Sequence, residues 1–150
     1  MPSRPYSYRH VVATLYGCRA DLLDDELLLD TTLKAIHSAN MQLAKTKTVN
    51  PLVYRVEDDI MGGGVSVNAL ITTSHLTLHT SRKYRTVEFD CATCGCESNP
   101  WAALDMFKQT LRPTHVTMQY QHGEHPLLTL PPIKVISRPR RAQEESTLSY

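Results

Sequence analysis

One stretch of the chain collects most of the side chains able to do chemistry: Ser66, Ser74, His75, His79, Cys91, Cys94 and Cys96. His75 and His79 are four apart, and in a strand that spacing puts both on one face. Two histidines so placed, with the cysteines, are a conceivable zinc set. The Cys-x-x-Cys-x-Cys run lacks a second ligand pair at knuckle spacing, however, and no metal is expected. Ser74 with His79 and Cys94 also reads as nucleophile and base. No Gly-x-Ser-x-Gly elbow precedes a helix, so a hydrolase triad is not indicated. On periodicity alone Ser74 is a serine at the end of a strand, and a cysteine is often a small buried hydrophobe. His10, His37 and His115 read as satisfied structural histidines. The acidic run Glu57-Asp58-Asp59 is the dense negative cluster beside this stretch. Such a run is most often a solvated loop, but it could face a cationic group of a substrate. Gly62-Gly63-Gly64 has no Lys-Ser or Lys-Thr after it, so it marks a tight turn or bulge rather than a phosphate loop.

These side chains need strands to hold them. Val65 to Thr72, His75 to Thr80 and Thr86 to Ala92 read as three consecutive strands, the first apolar enough to be central in its sheet. Upstream, Tyr8 to Tyr16 alternates and ends at Gly17, which predicts another strand. Asp21 to Glu26 is an acidic helix start. Leu28, Leu29, Leu33, Ile36 and Ala39 follow at helical spacing, with Asn40 as the stop. Met41 to Val49 alternates weakly and reads as a possible strand, broken at Asn50-Pro51. Tyr54-Arg55-Val56 is strand-like. Asn99-Pro100 opens a second helix, with Ala103, Leu104, Phe107 and Leu111 on its apolar face and Pro113 at its end. His115 to Tyr120 is a last strand. The order predicts an α+β two-layer sandwich, an antiparallel sheet with helices on one face. Val65, Val67, Ala69 and Ile71 point one way and Leu70 the other. Both sheet faces are therefore partly apolar, and a homodimer packed sheet to sheet, or a higher homo-oligomer, is expected.

The totals agree with one soluble domain of 150 residues, 41% hydrophobic and 21% charged. A formal net charge of +1 argues against nucleic acid and anionic membrane surfaces as partners. No apolar run approaches the ~20 residues of a membrane span. Met1-Pro2-Ser3-Arg4-Pro5-Tyr6 has no apolar signal region, so a cytoplasmic protein with reduced thiols is expected. Residues 1–120 read as the folded domain. Residues 121–150, rich in Pro and Arg, read as an extended or disordered C-terminal extension.

Four blocks resemble the prokaryotic S-adenosylmethionine decarboxylases, small pyruvoyl enzymes of polyamine (spermidine) biosynthesis. They are Arg9-His10-Val11-Val12-Ala13 through Tyr16-Gly17-Cys18, Gly64-Val65-Ser66, Ser74-His75-Leu76-Thr77-Leu78-His79-Thr80, and Thr93-Cys94-Gly95 with Asn99-Pro100-Trp101. The resemblance implies a zymogen that cuts itself between Thr73 and Ser74. The Ser74 hydroxyl attacks the preceding carbonyl to give an ester. Elimination and hydrolysis then leave a pyruvoyl group made from Ser74. The products would be a β chain, 1–73, and an α chain from 74. The resemblance assigns Ser66 and His79 to processing, His79 as the proton-transfer group, and Cys94 as the proton donor in turnover. It implies a Schiff base between the pyruvoyl carbonyl and the amine of an amino-acid-type substrate, and active sites at a dimer interface.

The chain departs from the family pattern where the substrate is read. Thr73 replaces the usual Glu before the cleaved serine. Ser81-Arg82-Lys83 replaces Trp-Pro-Glu, which the resemblance assigns to stacking on adenine and holding the ribose. The aromatic-rich segment before Gly64 is replaced by Tyr54 to Gly63. Decarboxylation of S-adenosylmethionine is the first expectation. A pyruvoyl-dependent arginine or ornithine decarboxylase is the alternative, with Glu57, Asp58 or Asp59 pairing the substrate cation. A non-catalytic regulatory homologue is the second alternative, disfavoured because Ser66, Ser74, His79 and Cys94 are all retained.

Overall fold

The computed structural model describes residues 6–57, 60 and 62–125. Its elements are β1 (Tyr6–Tyr16), α1 (Asp25–Ser38), β2 (Leu52–Val56), β3 (Gly64–Ile71), β4 (Ser74–Ser81), β5 (Thr86–Cys94), α2 (Pro100–Leu111) and β6 (His115–His125). The strands form one six-stranded sheet in the order β2-β3-β4-β5-β1-β6, with every pair antiparallel. Both helices lie on one face, which is the expected α+β sandwich.

The helices form where their caps and stripes allow. Asp24 closes the start of α1 by accepting the Leu27 N–H at 2.9 Å, and Asp25 and Glu26 sit in the first turn, where the helix dipole favours acids. Asn40 follows in the left-handed region, φ 54°, and ends the helix as expected. Leu28, Ala35, Ile36 and Ala39 are buried, but Leu33 is exposed and Thr31 and Thr32 take its place on the packed face. Those threonines can be buried because their hydroxyls donate to the Leu27 and Leu28 carbonyls, 2.7 Å each. In α2, Asn99 caps Trp101 N–H at 3.1 Å and Pro100 occupies the first turn. Its buried Ala103, Leu104, Phe107 and Leu111 meet the sheet. The Phe107 and Phe89 rings lie 5.6 Å apart at 60°.

Alternation divides the sheet cleanly. Val65, Val67, Ala69, Leu76, Leu78, Val87 and Phe89 are buried under the helices. On the opposite face Val12, Leu52, Tyr54 and Leu70 remain exposed. That open face carries the chemistry described below.

Two expectations are corrected. Residues 41–49 do not form a strand; an isolated bridge joins Leu43 to Ile71. Their polar groups instead clamp the end of β3. Ala44 N–H donates to Leu70 O at 2.9 Å, Thr72 N–H donates to Gln42 O at 2.9 Å, and the Asn50 side chain bonds both Leu70 backbone groups. The last strand runs to His125, past its expected end at Tyr120, because it pairs with β1 along its whole length. Residues 126–150, most of the expected extension, lie outside the described residues.

Candidate active site

The three-glycine run does what its composition allows. Gly62 and Gly63 have φ of 66° and 80°, a region other residues avoid. Gly64 opens β3 against the Thr80 carbonyl, where any Cβ would collide with backbone. This close approach sets the register that places Ser66 opposite His79. Ser66 Oγ and His79 Nδ1 are 2.7 Å apart. The expected processing pair is therefore a direct hydrogen bond on the open face.

Ser74 begins β4 immediately after the two-residue turn Thr72-Thr73. The clamp on Leu70 and Thr72 fixes that turn from one side. On the other, Thr73 Oγ1 and the buried Thr93 Oγ1 are 3.0 Å apart. Thr73, which replaces the usual acid, is thus held by a strand neighbour. Ser74 lies opposite Thr93, and its Oγ is 3.2 Å from His75 Nδ1. His75 Nε2 lies 3.1 Å from Asp90 Oδ1, and His10 Nε2 approaches the same oxygen at 2.8 Å. His10 is thus hydrogen-bonded, as expected of it, and shares its partner oxygen with His75. The pairing of β1 and β4 on either side of β5 produces this convergence.

Cys94 ends β5 one residue beyond Thr93, opposite Tyr8, and is half-buried. Cys91 is buried in the core; burial pushes its thiol up to about 12, and the Asp90 carboxylate adds to the rise. Burial also raises the Cys18 thiol, with Arg85 acting against it. Cys94 follows Thr93, the strand partner of Ser74, and Cys96 is exposed. Among the described residues, no group of three or more His, Cys, Asp or Glu side chains is arranged to hold a metal ion.

A depression of about 390 Å³ on the open face is lined by Ser66, Asn68, Thr77, His79, Glu88 and Asp90. Tyr54 lies opposite Ser66, and Glu88 opposite His79, so Tyr54, Ser66, His79 and Glu88 form a row across four strands. The sequence alone does not show that Tyr54, Glu88, Asp90 and His10 share this face. Their even spacing within strands was visible, but the face they share was set only by pairing. Glu57 is exposed just past β2, while Asp58 and Asp59 lie outside the described residues. Ser81 is buried, and Arg82 and Lys83 are exposed in the turn that follows β4.

The two halves of the candidate site are not in one place. His79 is five residues along β4 from Ser74, roughly 16 Å at strand rise. Within one chain the Ser74 hydroxyl meets His75.

The structure is thus a two-layer sandwich whose Thr72-Thr73 turn, at the end of β3 and β4, is held from both sides ahead of Ser74. The family model described as S-adenosylmethionine decarboxylase matches residues 9–122, and the chain belongs to that family. Its members are pyruvoyl-dependent proenzymes that generate the group from their own chain. The chain is 35% identical to the arginine decarboxylase proenzyme of Ignicoccus hospitalis, over 79% of this chain and 78% of that protein. It is 39% identical to the arginine decarboxylase proenzyme of Caldivirga maquilingensis, over 73% and 78%. The S-adenosylmethionine decarboxylase proenzyme of Pyrobaculum aerophilum is 37% identical, over 72% and 81%. The crystal structure of the adenosylmethionine decarboxylase from Aquifex aeolicus shares the fold, with a TM-score of 0.63 at 23% identity, covering 85% of this chain and 97% of that one. No helix among the described residues is long and apolar enough to cross a membrane.

Proposed function

We propose that the chain cuts itself between Thr73 and Ser74 and then decarboxylates a small cationic amino acid, with arginine as the first candidate. The residues present fit a pyruvoyl group at position 74. The turn before Ser74 is clamped on both sides, and the hydroxyl already has a hydrogen-bonding imidazole. When formed, the group supplies an electrophilic carbonyl that accepts the electrons left by the departing carboxylate. On this reading Cys94, one residue beyond the strand partner of Ser74, returns a proton to the α carbon.

The observation that carries the substrate reading is the row Tyr54–Ser66–His79–Glu88. Glu88 supplies a carboxylate for a guanidinium. Asp90 adds a second carboxylate to the same depression. Cation recognition on this reading rests on Glu88 and Asp90; of the expected acidic run, Glu57 is exposed just past β2 and Asp58 and Asp59 lie outside the described residues. Where a nucleoside pocket would need a ring, the small buried Ser81 supplies none. The arginine decarboxylase proenzymes among the relatives support this reading. S-adenosylmethionine, also cationic, is the second reading, supported by the relatives so named. Carbon dioxide release from carboxyl-labelled arginine, ornithine and S-adenosylmethionine decides between them. Arginine should be turned over at least tenfold more efficiently than the others, and Glu88→Gln should raise its KM tenfold or more. Preferential release from S-adenosylmethionine would establish the second reading. Release from none would leave the non-catalytic alternative.

The working unit on this reading is a homodimer joined through the open sheet faces. Leu70 and Tyr54 are 52% and 63% exposed there. One chain alone separates Ser74 from His79 by most of a strand, and a second copy can supply the missing half. Co-expression of Ser74→Ala with His79→Ala tests this. Each variant alone should stay uncut, and the mixture should cut the His79→Ala chains. A mixture as inert as its components would contradict the shared site.

A further inference from the structure

The imidazole that touches the Ser74 hydroxyl is not the one that the family resemblance points to. His75 Nδ1 lies 3.2 Å from Ser74 Oγ, whereas His79 Nδ1 is bonded to Ser66. We propose that His75 is a catalytic residue of self-cleavage, oriented by Asp90. This inference rests on the reading of Ser74 as the cleaved serine.

The geometry fixes how each atom would act. Asp90 is a carboxylate acceptor, so His75 Nε2 donates its N–H to Asp90 Oδ1 at 3.1 Å. Nδ1 then carries the lone pair, and the Ser74 hydroxyl donates to it. As Ser74 Oγ bonds to the Thr73 carbonyl carbon, its proton passes to His75 Nδ1. The Thr73–Ser74 C–N bond then breaks, and His75 returns that proton to the departing Ser74 nitrogen. The sum is an isomerisation of amide to ester, with no proton gained or lost. His10 donates to the same Asp90 oxygen at 2.8 Å and its ring lies 6.5 Å from that of His75. The carboxylate is thereby pinned from the β1 side while it holds His75 from the other. Asp90 and His10 are positioning residues in this scheme. It is a serine–histidine–aspartate relay assembled from adjacent strands, with the nucleophile and its base consecutive in the chain.

The experiment follows cleavage of newly translated full-length chain by intact mass, in wild type, His75→Ala and His75→Gln. Positioned proton transfer contributes about 10² to 10⁴ in rate. Both variants should cut at least a hundredfold more slowly, without accumulating an ester that hydroxylamine can cleave. Added imidazole should restore cutting of His75→Ala in proportion to its concentration. His75→Gln fills the space without a basic nitrogen, so it separates lost chemistry from lost folding. For Asp90, nitrogen-15 imidazole spectra of the uncut Ser74→Ala chain should show His75 protonated at Nε2, and Asp90→Asn should shift that tautomer. Wild-type cutting in either His75 variant would overturn the proposal. So would slow cutting that imidazole leaves unchanged, or an accumulated hydroxylamine-sensitive ester. A wild-type chain that never cuts would remove the parent reading as well, whereas a cut wild type with unaffected His75 variants removes this one alone.

Discussion

Ser74→Ala should leave the 150-residue chain whole and abolish carbon dioxide release from every substrate. The substitution removes one oxygen. On the proposed reading that oxygen is the nucleophile of cleavage and then leaves in the new carboxylate of the β chain; without it neither the ester nor the elimination that leads to the pyruvoyl carbonyl can occur, so no partial activity remains. The fold should be indifferent to the change. Ser74 is partly exposed at the strand start, and its side-chain bond is to the partly exposed His75. Circular dichroism of Ser74→Ala should match that of uncut wild-type chain. Intact mass after prolonged incubation, with and without hydroxylamine, reads the cleavage. Two fragments from Ser74→Ala would place the cut elsewhere.

The second large effect separates making the group from using it. Cys94→Ala should be cut normally yet turn over substrate about 10² to 10⁴ times more slowly, the contribution of a positioned proton donor. That loss corresponds to roughly 3 to 5 kcal/mol of barrier. It should fall on kcat more than on KM, because the thiol is needed after the carboxylate leaves and not to hold the substrate. Cys91→Ala is the comparison. Cys91 is 0% exposed and packed in the core, so its loss should lower thermal stability more than activity. Cys94→Ala with unchanged kcat would remove the proton-donor assignment.

How much of this was legible beforehand follows from which interactions are local. The caps Asn99-Pro100 and the acidic start before α1 act within one turn, so sequence located both helices. Burial of Thr31 and Thr32 in place of Leu33 was not legible, since it depends on hydroxyls reaching carbonyls four residues back. The weak alternation at 41–49 suggested a strand because it carries no record that Asn50 and Gln42 would spend those bonds clamping the Ser74 turn. Resemblance singled out Ser66 and His79, and the structure joins them as a cross-strand pair. Asp90 between His10 and His75 was invisible. The three positions come from three strands, two of which meet only after the chain has folded back past a helix. For the same reason the proposed cation site falls on the scattered Glu88 and Asp90 and not on the conspicuous acidic run at 57–59.

On the proposed function, this chain makes its own reactive carbonyl at position 74. Denaturing mass spectrometry of the purified wild-type protein tests it most directly. Two polypeptides are expected, residues 1–73 and a chain from 74. The second should be lighter than a serine-started chain by the mass of one ammonia and should be captured by borohydride in the presence of substrate. A single intact chain that hydroxylamine does not cleave, or a second fragment beginning with unmodified serine, would contradict it.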